Sequence, residues 1–373
     1  MRKVFILYSN FFTPDGKSLS IGGVQTYIKA LTNVIKKNKM TPIIMQHSQV
    51  DFRKTFIDID VIGVKVKETW STHKKSKILF NRCKEEFYSK GDIIIVATHS
   101  LGVKNNLNKV IGIQHGITFD IINYDNTNKF TRTISSLKRV LKGYNTIIKS
   151  RRFNCLVAVD YNFLNWYRTM PGFKNNYIKV IPNFVNCKEF VKGKNDDIKI
   201  IFARRFYKYR GTRLFSSVVL DLLNKYNNIQ ITFAGSGPDK NYLEKLFKNN
   251  ERVKFITYDS QESFDIHKEH DIAVIPTIGS EGTSLSLLEA MAAKCSVVAT
   301  NVGGMTNIIL DNYNGLMINP DERELYDALE KLIINPQLRD ELSKNAYETV
   351  SKSFNIKLWE ERWIRVLKEV SML

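Results

Sequence analysis

Short runs of apolar, β-branched residues alternate with helical patterns along almost the whole chain, and this alternation constrains the fold more than any other feature. Strands that are hydrophobic at nearly every position are typical of parallel sheets covered by helices on both faces. Two such series follow one another, so the sequence predicts two doubly wound α/β domains. The predicted strands are Val4–Tyr8, Pro42–Gln46, Ile93–Ala97, Val110–Gln114, Cys155–Val159, Tyr177–Ile181, Ile198–Phe202, Ile229–Ala234, Val253–Thr257, Ile272–Pro276, Ser296–Ala299 and Gly315–Ile318. The clearest predicted helices are Gln25–Lys36, Asp239–Asn249, Ser284–Ala293 and Glu322–Ile334.

The boundary between the two series is predicted at residues 181–183, where Pro182 ends a strand ladder and Asn183 accepts turn geometry. We therefore expect an N-terminal domain of residues 1–183 and a C-terminal domain of residues 184–353. The last segment, residues 354–373, is a separate helical pattern that contains Trp359 and Trp363. A terminal helix with two tryptophans is expected to dock on another part of the chain.

The net charge of +19 belongs to the first half of the chain. Residues 1–188 hold 31 Lys and Arg against 11 Asp and Glu, whereas residues 189–373 hold 25 against 26. This asymmetry favours an anionic partner for the first half: a membrane surface, a phosphate-bearing acceptor or nucleic acid. General solubility in a lysine-rich proteome is the simpler alternative. No nucleic-acid recognition motif is present, so nucleic acid is not the expected partner.

Several function classes are disfavoured by what the sequence lacks. Residues 1–9 are too short an apolar run for a secretory signal, and no apolar stretch approaches the ~20 residues that a membrane-spanning helix needs. The expected location is the cytoplasm. The widely spaced cysteines indicate neither a zinc site nor a disulfide framework, so reduced thiols are expected; they are Cys83, Cys155, Cys187 and Cys295.

Residues 279–292 carry the most informative pattern, in which a strand leads through a short loop into a helix that begins near Ser284. Ligands of open α/β sheets bind beyond the carboxyl ends of the strands, and unpaired N–H groups at a helix start favour a diphosphate there. Gly282 allows close backbone approach, and Thr283 or Ser284 can cap the helix.

Two glutamates, Glu281 and Glu289, lie on either side of this helix start, eight residues apart. They could bracket a diphosphate, one accepting hydroxyls of a transferred sugar and the other hydroxyls of a ribose, because each carboxylate accepts two donors. The alternative is two solvated glutamates on an ordinary helix.

The loop Phe202–Gly211 follows another predicted strand and contains four cations, Arg204, Arg205, Lys208 and Arg210. Fixed cations at this edge would stabilise the negative charge that builds on a departing nucleoside diphosphate. A solvated basic loop is the alternative. The Gly-rich turn 235–238 needs no ligand to be explained.

Taken in order, these motifs resemble those of the family 4 retaining glycosyltransferases, which have the GT-B fold. The matching residues are Val180-Ile181-Pro182-Asn183, Arg205 with Arg210-Gly211, Gly235-Ser236-Gly237-Pro238, Glu281 with Glu289-Ala290-Met291-Ala292, Val302-Gly303-Gly304 and Asn314-Gly315-Leu316. The resemblance implies two Rossmann-like domains facing across a cleft, with the C-terminal helix crossing back to the first. It also implies metal-independent, retaining transfer of a hexose.

The resemblance further implies roles for individual residues. Glu289 would contact the ribose and Glu281 the donor sugar at the reacting centre, while Arg205 and Arg210 hold the diphosphate. The backbone of Gly282, Thr283, Ser284 and Leu285 would line it. The family usually has lysine where this chain has Arg210, so either Arg210 or Lys208 takes that role. Phe184 and Lys294 replace glycines common in the family, and Tyr258 is expected near the base.

The acceptor side is expected in the first half, where Gly22 and Gly23 follow the first strand. The family has a similar glycine pair facing the cleft, near phosphate or acceptor; a plain turn is the alternative. His47, His99 and His115 end predicted strands, and His115 best resembles the family's active-site histidine. It is expected to hydrogen-bond or polarise the reacting sugar, the alternative being a satisfied histidine at a strand end. His267 and His270 are predicted on a helix surface.

The predicted reaction is transfer from a nucleotide-sugar, a UDP-sugar in preference to a GDP-sugar, to a saccharide acceptor, free or lipid-linked, in cell-surface glycan synthesis. No further cofactor and no metal are expected, although Asp58-Ile59-Asp60 could hold a metal as a D-x-D. A sugar-nucleotide epimerase on the same fold and a basic nucleic-acid binder are the alternatives.

Residues 126–159 contain no Asp or Glu, and residues 129–152 form a basic, amphipathic helical pattern. Two alternatives stand: a helix on an anionic membrane surface at the inner face of the plasma membrane, or a helix packed on its own sheet with a solvated basic face. The residues of the apolar face are Ile134, Leu137, Val140, Leu141, Tyr144 and Ile148; the basic residues are Lys129, Arg132, Lys138, Arg139, Lys142, Lys149, Arg151 and Arg152.

Overall fold

The computed structural model describes residues 2–20, 22–117, 119, 129–171, 177–193, 197–259, 261–279 and 281–373, with the side chains of 129–132 and 177 left out. Its residues divide into two compact units. The first unit contains Met1–His115, Phe130–Ile181 and Trp359–Leu373, and the second contains Gly116–Lys129 and Pro182–Leu358. From Pro182 the chain stays in the second unit as far as Leu358, and from Trp359 it belongs to the first unit again.

The first unit contains a sheet of eight strands among the described residues, in the order β3-β4-β2-β1-β5-β6-β7-β8. All neighbours pair in parallel except β3 and β4. The strands are β1 Lys3–Tyr8, β2 Thr41–Ser48, β3 Phe52–Phe56, β4 Ile59–Lys65, β5 Ile93–Val96, β6 Val110–Gln114, β7 Cys155–Ala158 and β8 Tyr177–Val180. The helices are α1 Gly23–Lys37, α2 Thr72–Arg82, α3 Lys129–Ser150 and α4 Tyr161–Arg168.

The antiparallel pair β3–β4 was not among the predicted strands. The two strands pair from Phe52 with Gly63 to Phe56 with Ile59, across a tight turn in which Ile57 and Asp58 have positive φ. Asp58 of the D-x-D therefore sits in the turn. Asp60 lies in β4, where its carboxylate pairs with Arg53 at 2.5 Å, which gives this aspartate a structural partner.

Helix α3 does not pack through the apolar face that its sequence predicts. Gly143, Ile147 and Ser150 are its buried residues in the part whose side chains are described, and they lie on one side of the helix. The predicted apolar face is exposed along its length; its members are Ile134, Leu137, Val140, Leu141, Tyr144 and Ile148. The expectation of a helix packed on its own sheet through this face is therefore wrong. Lys129 and Arg132 lie outside the described side chains.

The second unit contains a parallel sheet of six described strands in the order β11-β10-β9-β12-β13-β14. Numbered within the unit, this is the order 3-2-1-4-5-6 of dinucleotide-binding folds. The strands are β9 Ile198–Ala203, β10 Ile229–Ala234, β11 Val253–Ile256, β12 Ile272–Ile275, β13 Ser296–Thr300 and β14 Leu316–Ile318. The helices are α5 Thr212–Lys225, α6 Lys240–Leu246, α7 Ser263–Lys268, α8 Leu285–Ala292, α9 Glu322–Ile334 and α10 Pro336–Ser353.

An aromatic cluster fills the core of the second unit under β9 and β10. Phe202 stacks on Phe215 with ring centroids 5.8 Å apart, and Phe233 lies 5.4 Å from Phe215. All three rings are fully buried. Because close packing holds large buried rings in single rotamers, the end of β9 is fixed in position relative to α5 and β10.

The last helix, α11 Ile356–Met372, packs in the first unit from Trp359 onward. The indole N–H of Trp363 donates to the hydroxyl of Tyr27 in α1 at 2.8 Å, and both residues are buried. Lys37 pairs with Glu360 at 2.6 Å, and Lys179 pairs with Glu369 at 3.2 Å. The two tryptophans, which the sequence predicted to dock on another part of the chain, thus contact α1 of the first unit.

A search of the described helices for one long and apolar enough to cross a bilayer finds none. All four cysteines are unpaired.

We expect Trp363→Ala to lower the free energy of unfolding of the first unit by about 3–5 kcal/mol, because it removes one of the two buried indole rings of α11 that pack on Tyr27 of α1. Trp363→Phe keeps most of the packing and loses the bond to Tyr27, for an expected cost of about 1–2 kcal/mol. Urea unfolding followed by circular dichroism would measure both changes. Equal losses from the two variants would contradict the assigned packing role.

Candidate active site

Two arginines and one glutamate meet at the carboxyl edge of the second sheet. Arg204 follows the last residue of β9, and its Nη2 lies 2.5 Å from Oε2 of Glu281. Arg210 binds the same Oε2 through Nη1. Thr277, just beyond β12, donates its hydroxyl to that oxygen at 3.0 Å and accepts from Nη1 of Arg204. Strands β9 and β12 are neighbours where the strand order reverses, which is the ligand position of open α/β sheets.

The electrostatics of this cluster leave a surplus of positive charge. Burial raises the pKa of the Glu281 carboxyl, but the adjacent Arg204 and Arg210 outweigh burial and hold it below the usual range. Both guanidiniums stay charged, since arginine is not deprotonated in proteins. The side chains of Arg204 and Glu281 are less than a tenth exposed. One carboxylate therefore faces two cations in a weakly screened setting, which is suited to an anionic ligand.

A glycine pair behind the Glu281 loop holds its backbone in place. Gly303 has a φ of 57°, and a Cβ there would lie 2.0 Å from the carbonyl oxygen of Glu281. The N–H of Gly304 donates to the same carbonyl at 3.0 Å. The side-chain amide of Asn183 donates to the carbonyl of Thr283 at 2.7 Å. These contacts position residues 281–283 on the edge of the sheet.

The helix beyond this loop begins as predicted. Ser284 is the N-cap of α8, and its hydroxyl accepts from the N–H of Leu287 at 3.4 Å. The Gly282–Leu285 backbone thus leads directly into a helix start. Gly116, the first residue of the segment grouped with the second unit, lies so close to Gly282 that a Cβ would be 2.8 Å from its nitrogen.

Glu289, further along α8, accepts a hydrogen bond from the hydroxyl of Ser263 at 2.7 Å. Burial raises the pKa of the Glu289 carboxyl to about 7, with the Ser263 bond opposing the shift. Tyr258 lies against the same group, and its pKa is raised by burial and by Glu289. Glu289 is therefore a partly buried acid that changes charge near neutral pH.

The two histidines predicted on a helix surface are buried, so that prediction is wrong. Nδ1 of His267 lies 2.7 Å from the carbonyl oxygen of Ser263, and Nε2 of His270 lies 2.8 Å from Oγ1 of Thr232. His267 lies in the last turn of α7 and His270 two residues beyond its end, and both side chains are buried, where these contacts satisfy their ring nitrogens. His267 thereby helps to hold Ser263, which in turn holds Glu289.

The structure brings Arg204 to Glu281, a contact that the sequence did not predict, and the predicted role of Arg205 in holding a diphosphate stays a prediction. The Arg205 guanidinium lies 5.6 Å over the ring of Tyr207, and Arg205 is exposed. Lys208 begins the 3₁₀ turn Lys208–Arg210, and Arg210 ends it against Glu281. The sequence left open whether Arg210 or Lys208 takes the position where the family usually has lysine. In the structure, Arg210 binds the carboxylate of Glu281. In the sequence, Arg204 was distinguished only as one of the four cations in the loop that follows the predicted strand Ile198–Phe202.

His115 follows β6 in the first unit, where its Nε2 lies 2.8 Å from the carbonyl oxygen of Ala97. A carbonyl only accepts, so Nε2 carries the proton and Nδ1 has the free lone pair. Burial lowers the pKa of His115 to about 4. Its ring also contacts Tyr27 edge-on at 5.2 Å. The imidazole is therefore neutral at pH 7 and offers an acceptor rather than a cation.

Gly22 and Gly23 stand at the start of α1. Gly22 has a φ of 167°, an extended conformation open to any residue, and a Cβ there would meet the flexible end of Gln25 at 2.7 Å. The backbone thus gives no reason of its own for glycine at position 22. No group of three or more His, Cys, Asp or Glu side chains able to hold a metal occurs among the described residues.

Comparison with known families and sequences points to sugar transfer. Residues 187–349 match the family described as Glycosyl transferases group 1. The chain is 24% identical over 386 residues to an uncharacterized glycosyltransferase of Methanocaldococcus jannaschii, and the match covers 96% of both chains.

Solved structures share the fold at lower identity. The chain is similar to the sucrose-phosphate synthase of Thermosynechococcus elongatus, with a TM-score of 0.79, 14% identity and 99% of each chain covered. It is also similar to a mutant of TarM from S. aureus in complex with Fondaparinux, alpha-GlcNAc-glycerol and UDP, with a TM-score of 0.74, 14% identity, and 98% and 99% covered. These neighbours have the GT-B fold, and the two parallel-sheet α/β units of this chain belong to the same class.

We expect Glu289→Gln to stabilise the protein increasingly as the pH rises from about 4.5 to about 7, the range between the ordinary pKa of Glu289 and its raised one. Below that range the carboxyl is neutral in both folded and unfolded chains, so the variant changes little. Above it, only the wild type must ionise a partly buried acid. Thermal unfolding of both proteins at several pH values measures the difference. A difference that does not change with pH would contradict the assigned burial effect.

Proposed function

We propose that this chain, a homologue of group 1 glycosyl transferases, is a retaining glycosyltransferase that uses a nucleotide-sugar. It would transfer a hexose to a saccharide acceptor, free or lipid-linked, in cell-surface glycan synthesis. The observation that carries the proposal is the binding of Arg204 and Arg210 to the single carboxylate of Glu281 beside the start of α8.

Charge complementarity supports the proposal that the diphosphate of the donor binds at this cluster. Two guanidiniums and one carboxylate leave one positive charge, and the start of α8 adds about half a charge through its unpaired N–H groups. A diphosphate gains negative charge as the sugar leaves. Fixed cations at that position therefore stabilise the transition state more than the bound donor.

The two glutamates are proposed to hold the sugar and the ribose. All three described side-chain bonds of Glu281 end on Oε2, so Oε1 is proposed to accept a hydroxyl of the donor sugar. Glu289, with its raised pKa, is proposed to accept ribose hydroxyls, with Ser263 fixing its orientation. Tyr258 beside Glu289 is proposed to lie near the base.

The proposed chemistry is substitution on one face of the sugar. The bond between the anomeric carbon and the diphosphate oxygen breaks, and the acceptor oxygen bonds to the same face. The proton of the acceptor hydroxyl goes to the departing phosphate oxygen, so configuration is retained and no metal is required. His115 is proposed as a neutral hydrogen-bond acceptor for the reacting sugar, since its Nε2 already donates to Ala97.

The TarM complex contains UDP and alpha-GlcNAc-glycerol, which supports a UDP-sugar donor and a sugar-bearing acceptor for this chain. The basic first half supports an acceptor held at an anionic membrane surface, with the enzyme peripheral at its inner face. An epimerase is the second candidate; it would convert free donor without any acceptor, which the assay below detects.

We expect Arg210→Ala to lower the rate of acceptor-independent donor hydrolysis by about 10²–10³-fold, because it removes one of two cations at the developing charge. Glu289→Ala is expected to abolish measurable hydrolysis at the same donor concentration. Product release from a panel of nucleotide-sugars, followed by chromatography, gives the rates.

The matched controls are Arg323→Ala and Glu341→Ala, both at exposed positions of the second unit. They are expected to keep wild-type rates. Hydrolysis of the donor by Glu289→Ala at the wild-type rate would refute the site. If the product is an epimerised donor and not a hydrolysed one, the epimerase is favoured.

We expect UDP to raise the melting temperature of the wild type more than GDP at equal concentration. A ligand at 100 times its dissociation constant adds about 2.7 kcal/mol to stability. Differential scanning fluorimetry measures the shift, and Arg210→Ala is expected to reduce it. A larger shift with GDP would overturn the assignment of the base, and no shift with either nucleotide would count against the donor site.

A further inference from the structure

Helix α3 exposes an apolar strip that nothing in the described part of the chain covers. The strip consists of Ile134, Leu137, Val140, Leu141, Tyr144 and Ile148, whose side chains are between 38% and 68% exposed. Five of these six recur at alternating steps of three and four residues, so they lie along one side of the helix. Exposed large apolar residues elsewhere in the described chain are scattered singly or in pairs. A continuous exposed strip of this length indicates an interaction surface.

A side of α3 next to the strip, and not the strip itself, is buried. Gly143, Ile147 and Ser150 are buried, and the hydroxyl of Ser150 donates to the carbonyl of Thr146 at 2.8 Å. The arginine on this side, Arg139, donates to Ser136 at 3.1 Å. Both of these hydrogen bonds lie within α3, so it is the burial of Gly143, Ile147 and Ser150 that shows the helix packing through this side and not through the apolar strip.

Lysines border the strip along one edge. Lys138 and Lys142 are exposed, and Lys149 is partly exposed. At 100° per residue these three positions lie on the same flank of the helix, next to the apolar strip. No acidic residue occurs between Asp125 and Asp160, so no carboxylate within this segment offsets their charge. The surface is therefore an apolar strip beside a row of cations.

We propose that this face of α3 docks on an anionic phospholipid bilayer. The apolar strip would enter the boundary between head groups and acyl chains while the lysine row contacts lipid phosphates. At 1.5 Å per residue the 22-residue helix is about 33 Å long, but its charged flank requires it to lie in the interface. The surface belongs to the first unit, whereas the proposed donor residues belong to the second, so the inference is independent of the transferred sugar.

A second copy of the chain fits this surface less well than a bilayer does. Pairing two α3 strips would bring two lysine rows close together with no acidic residue of α3 to compensate them. Like charges placed opposite one another oppose association. A bilayer with anionic head groups provides an apolar interior and negative charge at its surface together.

The test is co-sedimentation of the full chain with vesicles of phosphatidylcholine, with and without phosphatidylglycerol. The wild type is expected to bind the anionic vesicles at least about tenfold more strongly than the neutral ones, and less strongly as salt rises. The double substitution Leu137→Ser with Leu141→Ser is expected to weaken binding to anionic vesicles at least about tenfold. Lys138→Gln with Lys142→Gln is expected to remove most of the preference for anionic vesicles.

Two matched variants control for general effects. Leu310→Ser with Ile334→Ser changes two exposed apolar residues of the second unit, and Lys245→Gln with Lys248→Gln changes two of its exposed lysines. Both are expected to bind vesicles like the wild type. The Leu137→Ser, Leu141→Ser variant is expected to keep the wild-type melting shift with UDP, so a failed donor site and a failed docking surface give different results.

The proposal is overturned if the wild type does not bind anionic vesicles, or if the Leu137→Ser, Leu141→Ser variant binds them like the wild type. It is also overturned if light scattering without lipid shows a dimer that this variant abolishes while vesicle binding persists. The proposal is supported if the wild type is monomeric without lipid and if its binding to vesicles depends on the apolar strip.

Discussion

The candidate site depends on the binding of two guanidiniums to one carboxylate, Arg204 and Arg210 to Glu281. Strands β9 and β12 are neighbours in the sheet, so the loops that follow them meet although they lie more than 70 residues apart in the chain. A buried pair of opposite charges recovers its desolvation cost only when additional hydrogen bonds support it, and here Thr277 gives Oε2 of Glu281 a third donor. The second arginine leaves one positive charge that the carboxylate does not balance, and an anionic ligand would neutralise it.

The glycine motifs of the second unit support this cluster through backbone packing. Gly303 and Gly304 lie against the loop of Glu281, and a Cβ at Gly235 would lie 2.1 Å from the carbonyl oxygen of Arg204. A larger residue at these positions would displace the two backbone segments that carry the charged side chains. These glycines can therefore matter for activity without any contact with a ligand, because a shift of the supporting backbone moves the charges themselves.

The two units differ in their net charge and in where their cations lie. The second unit is nearly neutral in total and places two largely buried cations, Arg204 and Arg210, at one edge of its sheet. The first unit carries almost all of the net positive charge and presents it beside the exposed apolar strip of α3. Charge clustered in a buried loop selects a small anion, whereas charge spread along an exposed amphipathic helix suits an extended anionic surface.

The sequence by itself determined the secondary structure and its class. Apolar runs and helical periods located twelve of the strands, and the order of motifs predicted the GT-B fold that the structural neighbours share. It did not predict the β3–β4 pair, the burial of His267 and His270, or the contact between Arg204 and Glu281. The burial of the histidines and the direction of the Arg204 side chain depend on which side of an element faces the core, and adjacent residues with the same chemistry give no signal for that. The same holds for the exposed face of α3. Periodicity in the sequence defined the apolar residues of that face, but only tertiary packing decided that the helix packs through Gly143, Ile147 and Ser150 instead. The physical reason is that the burial of a helix face depends on what packs against it and not on the face alone.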